Sequence, residues 1–224
     1  MVAKKKLEIL IVDDHPFIIE AYKNTIAGYN PGEFEFSITQ SNDCKSAFEI
    51  MDSPEMPKFD VAFFDISMPP YPEKNILSGE DLARMMKKIL PECKVILLTM
   101  HTESLKINNI LKTINPNGLI IKNDLTFDEL LVAFDKILNN ELYYSQTVLK
   151  LVSQQTGDDS VIDSLDRQIL FHLSRGVRTK NLPLHTPLSL SAIEKRKLNL
   201  KDLFNIKGGD DEALIAEGKK RGYI

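Results

Sequence analysis

Five short runs of almost wholly apolar residues, each followed by a stretch of helical period, fill about the first 140 residues of the chain, the size of one doubly wound domain. The runs span residues 7–12, 34–40, 61–64, 94–98 and 118–121, and the helices are expected from 16 toward Ala27 and over 44–51, 79–89, 103–114 and 127–138. A strand with one wet face alternates apolar with polar residues, whereas a strand apolar throughout is buried on both faces. Such strands need helices above and below, so the pattern predicts an α/β domain with a doubly wound, five-stranded parallel sheet and right-handed crossovers.

The whole chain has 224 residues, 43% hydrophobic and 27% charged, which excludes disordered and fibrous classes and leaves room for a second, smaller domain. The basic start is followed by an apolar stretch that contains Glu8 and ends at Asp13, too short for a signal or a membrane span, so a cytoplasmic protein off the membrane is expected. Cys44 and Cys93 lack the spacing of a zinc site or a disulfide framework. The net charge of −4 conceals an asymmetry: residues 162–224 hold 12 basic and 8 acidic side chains, and residues 1–161 hold 16 and 24. An acidic front suits a cation or a phosphoryl group, and a basic back suits a polyanion.

In a doubly wound sheet, ligands bind beyond the carboxyl ends of the strands, where strand order reverses. The strand ends here carry Asp13 and Asp14, then Asp65, Thr99 and Lys122. If strands one and three flank the reversal, three carboxylates meet, and their repulsion calls for a hard divalent cation such as Mg²⁺. A carboxylate beside a cation, a lysine and a hydroxyl can attack phosphorus while its neighbours take up charge on the moving oxygens. Asp65 is the expected nucleophile. Singly, each residue has a plainer reading: Asp14 as a cap of the helix opened by Pro16, Asp65 as a turn residue, Thr99 as a strand end and Lys122 as a solvated side chain. It is their joint order that carries the expectation.

Across residues 6–139 these residues resemble the receiver domain of two-component response regulators, a flavodoxin-like fold. Asp13-Asp14 is similar to the family's acidic pair, and Asp65-Ile-Ser-Met-Pro69 to its phosphoacceptor loop. Thr99 resembles its switch hydroxyl and Lys122 its lysine. The resemblance implies a histidine kinase as phosphodonor to Asp65 and Mg²⁺ held by Asp14, Asp65 and the Ser67 carbonyl, with Asp13 acting through water. Three departures stand out: residues 70–78 lengthen the loop after Asp65, Met100 replaces a small residue, and Leu119 stands where an aromatic switch residue is common.

The polar segment 153–160 reads as part of a linker, giving domains over 1–145 and 162–224 joined by 146–161. Beyond it the period is helical throughout, and a small four-helix domain is expected. A first amphipathic helix carries Ile162, Leu165, Ile169, Leu170, His172 and Leu173; another runs from 192 to about 205 with Ser191 and Glu194 as a capping box; Asp210-Asp-Glu212 opens a last one. Residues 165–176 and 189–205 resemble the LuxR/NarL-type helix-turn-helix, which implies DNA as partner and dimers on phosphorylation. Ile193, Leu200 and Phe204 form its buried stripe, leaving Ser191, Glu194 and Lys195 toward bases, and Lys180, Arg196, Lys197 and Lys201 toward phosphates. Pro183 and Pro187 interrupt the expected scaffold helix. Those prolines and Glu194 keep open a second reading, a receiver controlling a protein-interaction module. An aspartyl-phosphate phosphatase is disfavoured, because Asp13 and Asp14 are adjacent and lack the Asp-x-Asp spacing of such enzymes.

Overall fold

A computed structural model describes residues 4–153, 162–206, 208 and 210–224. It divides into two compact units, Met1–Thr102 with Ile114–Gln154 and Glu103–Thr113 with Gln155–Ile224.

The first unit is built on a parallel sheet of β1 (Lys5–Val12), β2 (Phe34–Ser41), β3 (Val61–Asp65), β4 (Lys94–Thr99), β5 (Gly118–Ile121) and β6 (Tyr143–Tyr144) in the order β2-β1-β3-β4-β5-β6. The expected parallel, doubly wound sheet is therefore present, but with six strands rather than five. Two residues are too few for any periodicity, and β6 is defined only by its pairing to Gly118 and Leu119. One sheet face, with Ile9, Ile11, Phe63, Ile96, Leu98 and Ile120, packs on α1 (Pro16–Ala27) and α5 (Phe127–Leu138) through Ile19, Ile26, Ala133, Phe134 and Ile137. Alternation sends Leu10, Val12, Ala62, Phe64, Val95 and Leu97, also fully buried, to the opposite face. There α2 (Cys44–Met51) and α3 (Gly79–Ile89) pack against β2, β3 and β4. Burial on both faces is why β3, β4, β5 and the second half of β1 read as continuous apolar runs, whereas β2, at the sheet edge and half-buried, alternates.

Pro16 opens α1 with His15 as the flanking residue and no side-chain cap, so Asp14 does not cap it. The lengthened stretch after Asp65 folds back on itself: Tyr71 bridges Ile76 across a short 3₁₀ turn at Pro72–Lys74, and Tyr71 packs edge-on to Phe48 of α2. The loop closes where the Gly79 amide donates to the Ile66 carbonyl. A Cβ on Gly79 would lie 1.9 Å from the Asp65 carbonyl oxygen, so only glycine lets α3 begin this close to the end of β3. Gly79→Ala is expected to cost about 3 kcal/mol or more, at the upper end of overpacking penalties, and to lower the thermal midpoint measurably by circular dichroism.

The second unit contains α4 (Ser104–Ile114), α7 (Ser164–Ser174), α8 (Leu190–Leu203) and α9 (Asp211–Lys220), with α6 (Gln146–Ser153) belonging to the first unit. Residues 146–153, expected within the linker, are thus helical, with Val148 fully buried; the rest of that linker lies outside the described residues. Ile162, Ile169, Leu170, Leu173, Leu182, Ile193, Leu200, Phe204, Leu214 and Tyr223 form the core of the second unit. Pro183 does shape the expected scaffold helix: it is a 3₁₀ turn, Thr179–Leu184, rather than an α-helix. Helix α8 starts earlier than expected, capped by Ser189, whose hydroxyl accepts the Ala192 amide; Ser191 lies inside the helix.

Candidate functional site

The order β2-β1-β3 places the reversal point between β1 and β3, and the loops leaving these two strands diverge around one crevice. Val12 pairs with Phe64 in register, so Asp13 and Asp65 follow side by side. Asp13 and Thr99 are wholly buried and Asp65 is 2% exposed. Lys122, at the start of a 3₁₀ turn after β5, reaches in from a third strand end. Its ammonium donates to Asp13 Oδ2 at 2.7 Å and to Asp65 Oδ2 at 2.8 Å. The Ser67 amide donates to Asp65 Oδ1 at 3.2 Å. Thr99, the last residue of β4, accepts the His101 amide on its hydroxyl at 3.0 Å.

Burial pushes the Asp65 carboxyl up, and the Asp13 charge adds to that, against the opposing pull of Lys122. Burial also pushes Lys122 down, but its two carboxylate partners outweigh it and hold the ammonium above its usual range. Asp13, Asp14, Asp65 and His15 each present a ligand atom, and all four atoms lie within 4.8 Å of one another. The three carboxylates outnumber the one ammonium that reaches Asp13 and Asp65, so the crevice carries excess negative charge on hard oxygen donors. That donor set suits a divalent metal ion.

The structure therefore gathers Asp13, Asp14, Asp65, Ser67, Thr99 and Lys122 at adjoining strand ends. Two further side chains join them. The His15 imidazole Nδ1 lies 2.6 Å from Asp14 Oδ1 and 3.2 Å from Asp13 Oδ1. His101 Nε2 lies 3.5 Å from the Ser67 hydroxyl. Only their place in the sequence, one residue after the acidic pair and two after Thr99, could have flagged them.

In the second unit Ile193, Leu200 and Phe204 are buried as the helical stripe requires. Lys180, Ser191, Glu194 and Lys195 are exposed, and Leu198 joins them at 63% exposure. Two of the expected phosphate contacts face inward instead. Arg196 donates to Asp163 at 2.9 Å and Asp166 at 2.8 Å, bracing α8 to the capped start of α7. Lys197 pairs with Asp211 at 2.6 Å and donates to the Thr179 hydroxyl. Lys201 is half-buried.

Residues 9–134, more than half of the chain, match the family described as the response regulator receiver domain. The transcriptional regulatory protein MctR of Rhizobium johnstonii is 24% identical over 208 residues, covering 92% of this chain and 91% of its own. The transcriptional regulatory protein DegU of Brevibacillus brevis is 28% identical over 142 residues, 63% of this chain and 54% of its own. Among solved structures, RcsB from Salmonella enterica serovar Typhimurium bound to the promoter P1flhDC superposes with a TM-score of 0.65 at 17% identity, over 95% of this chain and 98% of that one. Its complex with promoter rprA gives 0.64 at 18% identity, again over 95% and 98%. These likenesses place the same fold along nearly the whole chain.

Proposed function

Because the chain belongs to the response regulator receiver domain family, we propose that it is a two-component regulator of transcription, switched when Asp65 takes a phosphoryl group from a histidine kinase. The observation that carries this reading is the buried Asp13–Lys122–Asp65 bridge at the strand-order reversal. An oxygen of Asp65 forms the new bond to phosphorus, the phosphorus–nitrogen bond of the donor phosphohistidine breaks, and the imidazole leaves with a proton. Asp65 is held for attack by the Ser67 amide. Lys122 turns from a carboxylate oxygen toward the transferring phosphoryl oxygens and neutralises them. The Thr99 hydroxyl stands at the neighbouring strand end to bond a phosphoryl oxygen once it arrives. Asp13, Asp14 and Asp65, with the Ser67 carbonyl, would hold Mg²⁺, which when bound supplies further positive charge at those oxygens. Met100, the residue after Thr99, is 53% exposed.

In this reading the receiver is residues 1–145 and the output domain 162–224, while by compactness α6 groups with the first unit and α4 with the second. In the output domain, α8 is the element offered to a DNA major groove, with Ser191, Glu194 and Lys195 toward bases and Lys180 toward phosphate; phosphorylation pairs two copies to meet two half-sites in the cytoplasm. RcsB structures bound to promoters, and two RcsB dimers on parallel DNAs, support that reading. A second reading has an observation of its own. With Arg196 and Lys197 bound internally and Glu194 exposed, α8 presents few free cations, as a protein-binding face would.

The two are separated by titrating the phosphorylated full chain against promoter duplexes over a range of salt. Lys180→Ala, which removes the phosphate-facing cation, is expected to weaken binding across sequences and to reduce the slope of log affinity against log salt by about one. No affinity for any duplex at low salt would favour the protein-partner reading.

A further inference from the structure

The segment that follows β6 is anchored in an unusual way. Ser145 directly precedes α6, where an N-cap hydroxyl ordinarily accepts an amide from the helix's first turn. Instead this buried hydroxyl accepts the Ile121 amide at 3.1 Å and donates to Asp124 Oδ2 at 2.6 Å. Capping passes to Asp124, whose carboxylate accepts the Thr147 amide at 3.0 Å and the Thr147 hydroxyl at 2.8 Å. Burial pushes the Asp124 carboxyl up, but these hydrogen bonds outweigh it and hold the group below the usual carboxylate range.

The residues so clasped bracket Lys122: Ile121 comes just before it and Asp124 two after. Between them the backbone is a single 3₁₀ turn closed by one hydrogen bond, from the Leu125 amide to the Lys122 carbonyl. Such a turn has little rigidity of its own. A lysine side chain, with four flexible carbons, holds a fixed place only if its backbone is fixed. The two-residue strand β6 thereby has a purpose. Its pairing, continued by the Ser145 amide on the Leu119 carbonyl at 3.1 Å, delivers Ser145 to the end of β5.

We propose that Ser145, Asp124 and Thr147 are positioning residues for Lys122, fixing the chain on both sides of it so that its ammonium meets the phosphoryl group arriving at Asp65, and tying that segment to α6. The proposal rests on the phosphoacceptor reading above. It goes beyond that reading by giving the site a support drawn from β6 and α6, beyond the strands whose ends carry the site residues.

The test is the rate of labelling of the full chain by a small acyl phosphate, measured over a Mg²⁺ titration and read on a phosphate-retarding gel. Ser145→Ala is expected to lower the maximal rate about tenfold or more, the scale set by an ångström of misplacement. The thermal midpoint should stay near that of the wild type, whereas general loosening of the fold would lower rate and midpoint together. Ser145→Thr, which restores the hydroxyl, should recover most of the rate. Thr147→Val, which leaves the buried serine in place, should show a smaller loss in the same direction and serves if Ser145→Ala fails to fold. Folded variants that label at the wild-type rate, or variants whose rate falls only in step with their thermal midpoint, would overturn the proposal alone. A wild-type chain that never labels would overturn the phosphoacceptor reading and this one with it.

Discussion

Asp65→Asn is expected to abolish labelling by a small phosphodonor while leaving the chain folded. The amide has nearly the shape of the carboxylate but lacks its charged, nucleophilic oxygen. Folding should survive because burial already disfavours the charge on Asp65, so removing it relieves part of the repulsion with Asp13. The carbonyl oxygen of the substituted side chain can still accept the Ser67 amide. The check is side-by-side labelling of both proteins with Mg²⁺ present, with thermal melts as the control for folding. Equal labelling would show that the phosphoryl group goes elsewhere.

Lys122→Met is the second large effect, and it combines chemistry with stability. Methionine fills the same volume but leaves the buried Asp13 and Asp65 carboxylates facing one another without the ammonium that now bridges them. Removing one partner of a buried ion pair typically costs about 3–5 kcal/mol, because the remaining charge is stranded. Labelling should fall by about a hundredfold or more, as it does when a preorganised group loses its hold on developing charge. The two losses respond differently to metal. Saturating Mg²⁺ should restore much of the stability, since a cation that binds only the folded crevice stabilises it by mass action. It should not restore the rate, which needs a cation on the far side of the phosphoryl group. Urea unfolding with and without Mg²⁺ measures the first and labelling the second. An unchanged midpoint in the metal-free variant would mean that the bridge contributes nothing.

The catalytic crevice was legible in the sequence because each of its polar residues closes a strongly apolar run. Once β1 and β3 are adjacent, Asp13, Asp14 and Asp65 have nowhere to go but the same crevice. Burial on both sheet faces is a signal carried by every residue of a strand, and it survives inspection one residue at a time. The second unit shows where that legibility ends. Arg196 and Lys197 read as groove-facing cations, yet their partners Asp163, Asp166 and Asp211 lie 14 to 33 positions away, and no local period reveals a pairing of that kind. The cap of α8 was displaced by two residues because Ser189 and Ser191 are chemically equivalent candidates, and only the turn taken by the backbone chooses between them. Strand β6 and the Asp124 clasp escaped for a related reason: they consist of a few residues whose role exists only after the sheet has formed.

The most direct test of the account is to locate the phosphoryl group. An acyl phosphate on an aspartate is reduced by borohydride to homoserine, so the labelled full chain can be reduced, digested and sequenced by mass spectrometry. The account predicts homoserine at position 65, immediately before Ile66-Ser67-Met68 in the same peptide, and only when phosphodonor and Mg²⁺ are both supplied. Conversion at another acidic residue, or phosphate found on His15, His101 or Ser67 with Asp65 intact, would contradict it.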